Sequence, residues 1–121
     1  MRQYIKIFKA LSDSNRLRIL KMLQVRPLCV CEMQSVLNLA PSTVSKHLSI
    51  LRDAGFIYDV KENKWVNYYI DSDTSNEMIK SLLDLLDQHI PSEEQIAKDS
   101  ELVAKVDRNQ LCQISDKGNK S

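Results

Sequence analysis

The sequence predicts a mainly α-helical fold with one β-hairpin, in the α+β class. Apolar residues recur at i, i+3, i+4 and i+7 in several segments, which is the spacing of amphipathic helices. Two adjacent runs, residues 57–62 and 64–70, are rich in β-branched and aromatic residues, as strands are. With 121 residues, 43% of them hydrophobic, the chain fits one modest domain and has no run long enough to cross a membrane.

The first two predicted helices are short. One apolar face of the first consists of Tyr4, Ile7, Phe8 and Leu11. Ser12 and Asp13 then end this helix and provide an N-cap for a second helix over residues 14–23. Its inward-facing residues are predicted to be Leu17, Leu20, Met22 and Leu23.

Residues 28–57 are predicted to form two helices joined by a tight turn, a helix-turn-helix. The first spans residues 31–37 and the turn residues 38–41. The second has Pro41 at an early helical position, Val44, Leu48 and Leu51 on its apolar face, and Gly55 at its end. Its other face carries hydrogen-bond donors and cations suited to a DNA major groove: Ser42, Thr43, Ser45, Lys46, Ser49 and Arg52.

The two strands are predicted to form a hairpin in which Asn63 adopts a positive φ. Lys61 and Lys64 flank its tip. A hairpin with cations at its tip, directly after a helix-turn-helix, is the wing of a winged helix, which contacts the DNA backbone or minor groove. An ordinary solvated hairpin is the alternative.

A longer helix is predicted over residues 75–88, with more apolar surface than one face of a small domain needs: Met78, Ile79, Leu82, Leu83, Leu85, Leu86 and then Ile90. We expect a homodimer contact to cover the excess, shared with the first helix. Pro91 breaks this helix, so residues 1–90 form the DNA-binding and dimerisation domain. Residues 91–121 then hold a C-terminal helix, over 92–106 on Ile96, Leu102, Val103 and Val106, and a mobile tail.

Charge is segregated along the chain. Residues 1–70 hold 11 Lys/Arg against 5 Asp/Glu, a balance of +6, and residues 71–121 hold 6 against 11, a balance of −5. This favours a nucleic-acid face on the first part, although chance fluctuation along a short chain is the alternative. The charged N-terminus lacks the pattern of a secretory signal, so we expect a cytoplasmic protein whose cysteines stay reduced.

Cys29 and Cys31 form a C-x-C pair at the start of the first DNA-binding helix. On a regular helix this spacing places two side chains about 200° apart, whereas on an extended chain they share a side. Both sulfurs are therefore predicted to hold one ion only where the backbone is not helical, so that binding competes with helix formation. Thiolates favour soft ions, here As(III) or Sb(III). The alternative is that both cysteines are small apolar fillers.

With these residues in view, the chain resembles the ArsR/SmtB family of winged-helix metalloregulators, most closely its arsenic-sensing ArsR branch. The resemblance covers residues 5–86 and rests on A-L-S-D-S-N-R-L-R-I-L at 10–20, L-C-V-C-E-M at 28–33, S-T-V-S-K-H-L-S-I-L-R-D-A-G-F-I at 42–57 and K-W-V-N-Y-Y-I at 64–70. It implies a homodimeric repressor, without a permanent cofactor, that leaves its operator when As(III) or Sb(III) binds the thiols. The implied DNA-contacting residues are Ser42, Thr43, Ser45, Lys46 and His47.

The chain departs from the family pattern at three places. The third cysteine that this branch often carries is replaced by Gln34, so Cys112 is either a substitute ligand or an unattached thiol. Asp87 and His89 form half of a zinc site whose partner position is Ser100, and we expect His89 to be a surface residue. At the wing tip, Asn63 stands where the family commonly has glycine, at little cost.

Two other functions remain as alternatives. A thiol-redox-responsive repressor would use oxidation of the cysteine pair in place of a metalloid. A thiol oxidoreductase or arsenate reductase is disfavoured because the chain has no C-x-x-C, no glycine-rich phosphate loop and two glycines in total. We therefore expect no enzyme, and we expect His47 to serve in packing or in a phosphate contact.

Overall fold

The structure, a computed structural model, describes residues 1–90 and 94–106, with side chains described outside 94–97. Its elements follow in the order α1 (Arg2–Leu11), α2 (Ser14–Val25), α3 (Val30–Leu37), α4 (Pro41–Ala54), β1 (Ile57–Glu62), β2 (Trp65–Ile70), α5 (Glu77–His89) and α6 (Glu94–Lys105). The predicted fold class, helices with one hairpin in a winged helix-turn-helix, is confirmed. None of the helices in this part of the chain has the length and apolar character needed to span a bilayer.

Local side-chain chemistry sets the ends of α2, α3 and α4. The Asp13 carboxylate accepts hydrogen bonds from the backbone N–H groups of Asn15 and Arg16, which makes it the N-cap that the sequence predicts. Asn38 ends α3 in the left-handed region at φ 57°, and Gly55 ends α4 at φ 98°. Residues with a Cβ rarely adopt the backbone conformation of Gly55, and this left-handed conformation ends α4.

The core is formed by the inward faces of the helices together with Phe56, which follows α4. α1 contributes Ile7 and Ala10 to this core. Of the predicted apolar face of α1, Ile7 is buried, whereas Tyr4 and Phe8 are 53% and 52% exposed. Because α1 packs against α2 and α4 along one narrow stripe, the rest of its apolar surface faces outward.

β1 and β2 pair antiparallel, with Ile57 opposite Ile70 and Glu62 opposite Trp65. Asn63 adopts φ 58° in the turn between them, as predicted. A further bridge joins this hairpin to the segment before α3, because Leu28 and Tyr68 exchange both of their backbone hydrogen bonds, at 3.4 and 2.8 Å. The hairpin is therefore tied directly to the residue that precedes Cys29.

α5 buries Ile79, Leu83 and Leu86, but Leu85 is 49% exposed. Burial lowers the pKa of Lys21, and the charge of Asp87 partly offsets this effect. The Lys21 ammonium donates a hydrogen bond to the Leu86 carbonyl, near the end of α5, at 3.1 Å.

α6 packs on α2 and α3 through the fully buried Val103. A bidentate ion pair fixes it, with Arg18 Nε and Nη2 at 2.7 and 3.0 Å from the buried Asp99 carboxylate. Pro91 and the predicted mobile tail, with Cys112, lie outside the described residues.

Candidate functional site

The two cysteine sulfurs lie side by side at the start of α3. Cys29 is the N-cap residue, with extended backbone at φ −94° and ψ 171°, and Cys31 is the second residue of the helix. Their Sγ atoms are 3.5 Å apart, too far for a disulfide between them, whose bond is about 2.05 Å long. Two thiolates bonded to one ion at about 2.3 Å lie about 3.7 Å apart at tetrahedral angles, so the observed separation suits a shared ion.

The predicted competition between ion binding and helix formation was wrong. A regular helix through both positions would oppose Cys29 and Cys31, but α3 begins only at Val30. Because Cys29 retains the extended backbone of an N-cap, both sulfurs share one side while α3 is fully formed. The pair is therefore preorganised and needs no unwinding of the helix.

Glu32 holds Cys29 in this position. Its Oε1 accepts the Cys29 backbone N–H at 3.0 Å, and its own N–H faces the Cys29 side chain, which completes a capping box. Glu32 is 1% exposed. Sequence reasoning missed this residue, although the spacing Cys29-x-x-Glu32 is the capping-box pattern with sulfur in place of a hydroxyl.

Arg26 connects this capping box to the C-terminal helix. Its Nη1 donates to Glu32 Oε2 at 3.1 Å, and its Nη2 donates to the carbonyls of Val103 and Val106 at 3.0 and 3.2 Å. Nothing in the sequence indicates this contact, because the residues that it joins are far apart in the chain and have no shared pattern. One side chain thus links the thiol segment with the last turn of α6.

Cys31 takes part in a disulfide in this structure, so its sulfur can receive an ion only after reduction. Within residues 1–90 and 94–106, no group of three or more His, Cys, Asp or Glu side chains is arranged to hold a metal ion. Cys112, the candidate third ligand, lies outside these residues, and His89 is exposed on α5.

The predicted DNA-contacting face of α4 is open to solvent. Ser42, Thr43, Ser45 and Lys46 are all exposed, while Val44 and Leu48 turn the opposite side of the helix into the core. The structure thus brings four of the predicted contact residues onto one free helical surface. Its size and polarity fit a major groove, which admits an α-helix.

The wing lysines are also exposed, and they differ from each other. Lys64 Nζ lies 4.9 Å from the centroid of the Trp65 ring, a cation–π contact that steadies its position. The two hairpin strands are braced by Tyr58 and Tyr69, whose rings stack with centroids 5.2 Å apart. The hairpin is therefore a firm support for the cations at its tip.

His47 occupies a different setting from the other predicted DNA contacts. It is half-buried, with Nδ1 3.1 Å from Arg16 Nη1. A guanidinium group can only donate, so Nδ1 is the acceptor in this contact. Arg16 is itself fixed by the carbonyls of Ala10 and Lys9, at 2.9 and 3.0 Å. His47 thus braces the junction of α1, α2 and α4, and its phosphate contact stays a prediction.

The chain matches the family model described as "Bacterial regulatory protein, arsR family" over residues 13–59, which include α2, α3 and α4. It is 43% identical over 76 residues to an uncharacterized HTH-type transcriptional regulator of Methanocaldococcus jannaschii, a match that covers 62% of this chain and 85% of that protein. It is 40% identical over 65 residues to the arsenical resistance operon repressor of Escherichia coli, covering 53% of this chain but only 56% of that relative.

Among solved structures, HlyU from Vibrio cholerae has a TM-score of 0.60 and 33% identity, covering 72% of this chain and 90% of that one. The relatives are regulators by their names, and the residues matched by the family model, 13–59, contain the open face of α4 described above. On sequence and on structure alike, this chain belongs to the ArsR/SmtB family of winged-helix regulators.

Proposed function

We propose that this chain is a homodimeric, cytoplasmic transcriptional repressor that binds double-stranded operator DNA and leaves it when As(III) or Sb(III) binds Cys29 and Cys31. The DNA contacts in this proposal are α4, through Ser42, Thr43, Ser45 and Lys46 with His47 beside them, and the wing, through Lys61 and Lys64. Cys112 is the candidate third ligand. The observation that carries the proposal is the pair of sulfurs 3.5 Å apart at the first turn of the helix-turn-helix.

The binding chemistry requires ligand exchange and no electron transfer. When arsenous acid, As(OH)₃, meets two thiols, each sulfur replaces one hydroxyl group and one water leaves for each new As–S bond. The product with Cys29 and Cys31 is a dithiolate that retains one hydroxyl group. A third thiol, Cys112, would replace that group and release a third water.

The position of the thiol pair explains how binding affects DNA contacts. Cys29 follows Leu28, which is bridged to the wing at Tyr68, and α3 packs against α4. A ligand at the start of α3 therefore acts on both DNA-contacting elements at once. Moving the population from 99:1 to 1:99 requires about 5.5 kcal/mol of differential affinity, which covalent As–S bonds can supply.

The choice of inducer rests on the number of ligands. Relatives of this chain are named for arsenical resistance and for cadmium resistance. A metal ion held tetrahedrally by thiolates requires four ligands, whereas the described residues bring together two sulfurs. This small donor set favours a metalloid, and Cd(II) is the comparison to test beside arsenite.

The proposal predicts distinct effects for the three cysteines. In reduced protein, Cys29→Ser and Cys31→Ser should bind operator within about threefold of wild type, because serine is also a good N-cap at position 29. Both should fail to release DNA on addition of arsenite, measured by fluorescence anisotropy of labelled operator. Cys112→Ser should require more arsenite for release if Cys112 is a ligand, and should behave as wild type if it is not.

Normal arsenite release from either Cys29→Ser or Cys31→Ser would contradict the assignment of the sensor. Equal release by Cd(II) and arsenite would remove the argument from ligand number while keeping the thiol site.

A second candidate function is favoured by the disulfide at Cys31. In this thiol-redox-responsive repressor, two thiols form a disulfide by giving two electrons and two protons to a peroxide. Hydrogen peroxide then becomes two molecules of water, and an alkyl hydroperoxide becomes one alcohol and one water. The new disulfide moves α3. Release by peroxide, with no release by arsenite under reducing conditions, would support it over the metalloid.

A further inference from the structure

We infer that Arg26 and Glu32 are positioning residues that couple the thiol pair to α6, so that occupation of the sulfurs is transmitted to the C-terminal helix as well as to α4. This inference rests on the proposed function, because it assigns a second response to the same site.

The coupling follows from one continuous set of hydrogen bonds. The Cys29 N–H donates to one carboxylate oxygen of Glu32, and Arg26 donates to the other, at 3.0 and 3.1 Å. Because Glu32 is almost fully buried, losing either donor would leave one of its oxygens short of a hydrogen bond away from water. A displacement of Cys29 therefore disturbs the carboxylate, and a displacement of the carboxylate disturbs Arg26.

At the other end of this set, Arg26 acts as a cap for α6. The carbonyl of Val103 belongs to the last turn of α6, and that of Val106 follows the last residue of the helix, Lys105; a helix end of this kind has unsatisfied acceptors and favours a cation. Arg26, which donates to both carbonyls, lies in the connection between α2 and α3. The last turn of α6 thus depends on a side chain that is itself held by the thiol segment.

A metalloid on Cys29 would alter the start of this set of bonds. The Cys29 side chain faces the Glu32 N–H in the capping box, and a sulfur that has formed an As–S bond is a different acceptor for that group.

Hydrogen–deuterium exchange on the reduced full chain, with and without sodium arsenite, tests the coupling. Arsenite should change exchange in the last turn of α6 as well as in α3. In arsenite-free protein, Arg26→Gln and Glu32→Gln should each raise exchange about tenfold both at residues 29–32 and at residues 102–106, as expected for the loss of a charge-assisted hydrogen bond.

The matched control is Arg18→Gln, which removes the ion pair between Arg18 of α2 and Asp99 of α6 and leaves the capping box intact. It should raise exchange in α6 alone. An α6 that does not respond to arsenite in wild type, or that is unchanged in Arg26→Gln, would overturn the inference. Cys29→Ser separates the two hypotheses, since loss of the proposed arsenite site abolishes the ligand response but leaves the effects of Arg26→Gln and Glu32→Gln in place.

Discussion

The ionised side chain of Asp13 supports α4 indirectly, through Arg16. Burial acts to raise the pKa of its carboxyl group, but the N–H groups of Arg16 and Asn15 and the charge of Arg16 outweigh burial, so the pKa lies below the ordinary value of 3.8. The residue that it caps, Arg16, also holds His47 on α4. The N-cap of α2 is thus connected to α4 through one arginine.

This arrangement predicts a pH-dependent contribution to stability. A carboxyl group whose pKa is lowered by folding stabilises the native state above its unfolded pKa, and that contribution is lost as pH falls through the folded pKa. Asp13→Asn keeps a cap acceptor and removes the charge, so it should be less stable than wild type at pH 7, by less than about 1 kcal/mol because the site is partly exposed.

Urea unfolding of both proteins at pH 7 and at successively lower pH measures this difference. It should be constant above about pH 5 and should shrink below the ordinary pKa of aspartate. A difference that stays constant down to full protonation would mean that the charge does not contribute.

At the residue scale, local chemistry could be predicted and distant partners could not. Asp13 caps α2 with its side chain, and Asn63 and Gly55 take positive φ values that these residue types tolerate, so the neighbouring sequence is sufficient to identify all three. Arg26 and Glu32 are charged residues whose partners are selected only by the folded chain. The sequence therefore could not distinguish Arg26 from a solvated arginine.

At the scale of elements, α4 and the hairpin follow directly from hydrophobic periodicity. The proposed roles of their exposed residues differ in a measurable way. Lys46→Ala should lower the slope of log affinity against log salt by about 1 if Lys46 neutralises one phosphate. Ser45→Ala should leave that slope unchanged and reduce discrimination between operator and mutated operator, by about 1–3 kcal/mol for a base contact.

Lys80→Ala provides the matched control, because Lys80 is exposed on α5 outside the proposed DNA surface. Titrations of operator over a range of potassium chloride concentrations should give it the slope of wild type. Equal slopes for Lys46→Ala and Lys80→Ala would exclude Lys46 from phosphate contact.

The first turn of α3 was harder to predict than α4. The two sulfurs lie together because Cys29 is the N-cap, with extended backbone, and stands one residue before the first residue of α3, Val30. Periodicity does not fix helix ends to that accuracy, because the end depends on the N-cap and its partners. The residue types at the site were thus evident from the sequence, but their geometry was not.

At the scale of the whole molecule, apolar side chains remain exposed on α1 and α5, among them Phe8 and Leu85. We propose that a second copy covers them. Phe8→Lys and Leu85→Lys should each weaken self-association about tenfold or more, as expected when a buried apolar side chain is replaced by a charge. Operator affinity should fall together with self-association, because a dimer with two-fold symmetry binds two half-sites of the DNA.

Val25→Lys is the matched control, since Val25 is 48% exposed at the end of α2 and lies outside α1 and α5. Analytical ultracentrifugation should show it associating like wild type while the Phe8 and Leu85 variants shift to monomer. If all three variants associate equally, the dimer contact lies elsewhere.

The separation between the sulfurs and the exposed face of α4 has a consequence for engineering. The two sulfurs lie at the start of α3, and the residues proposed to contact bases lie on α4. Different residues would therefore bind the inducer and recognise the DNA. Replacing Ser42, Thr43 and Ser45 should redirect the protein to another promoter while its chemical trigger is retained. Replacing the pair at 29 and 31 should change the trigger and leave the promoter unchanged, which makes this small scaffold a starting point for interchangeable biosensors.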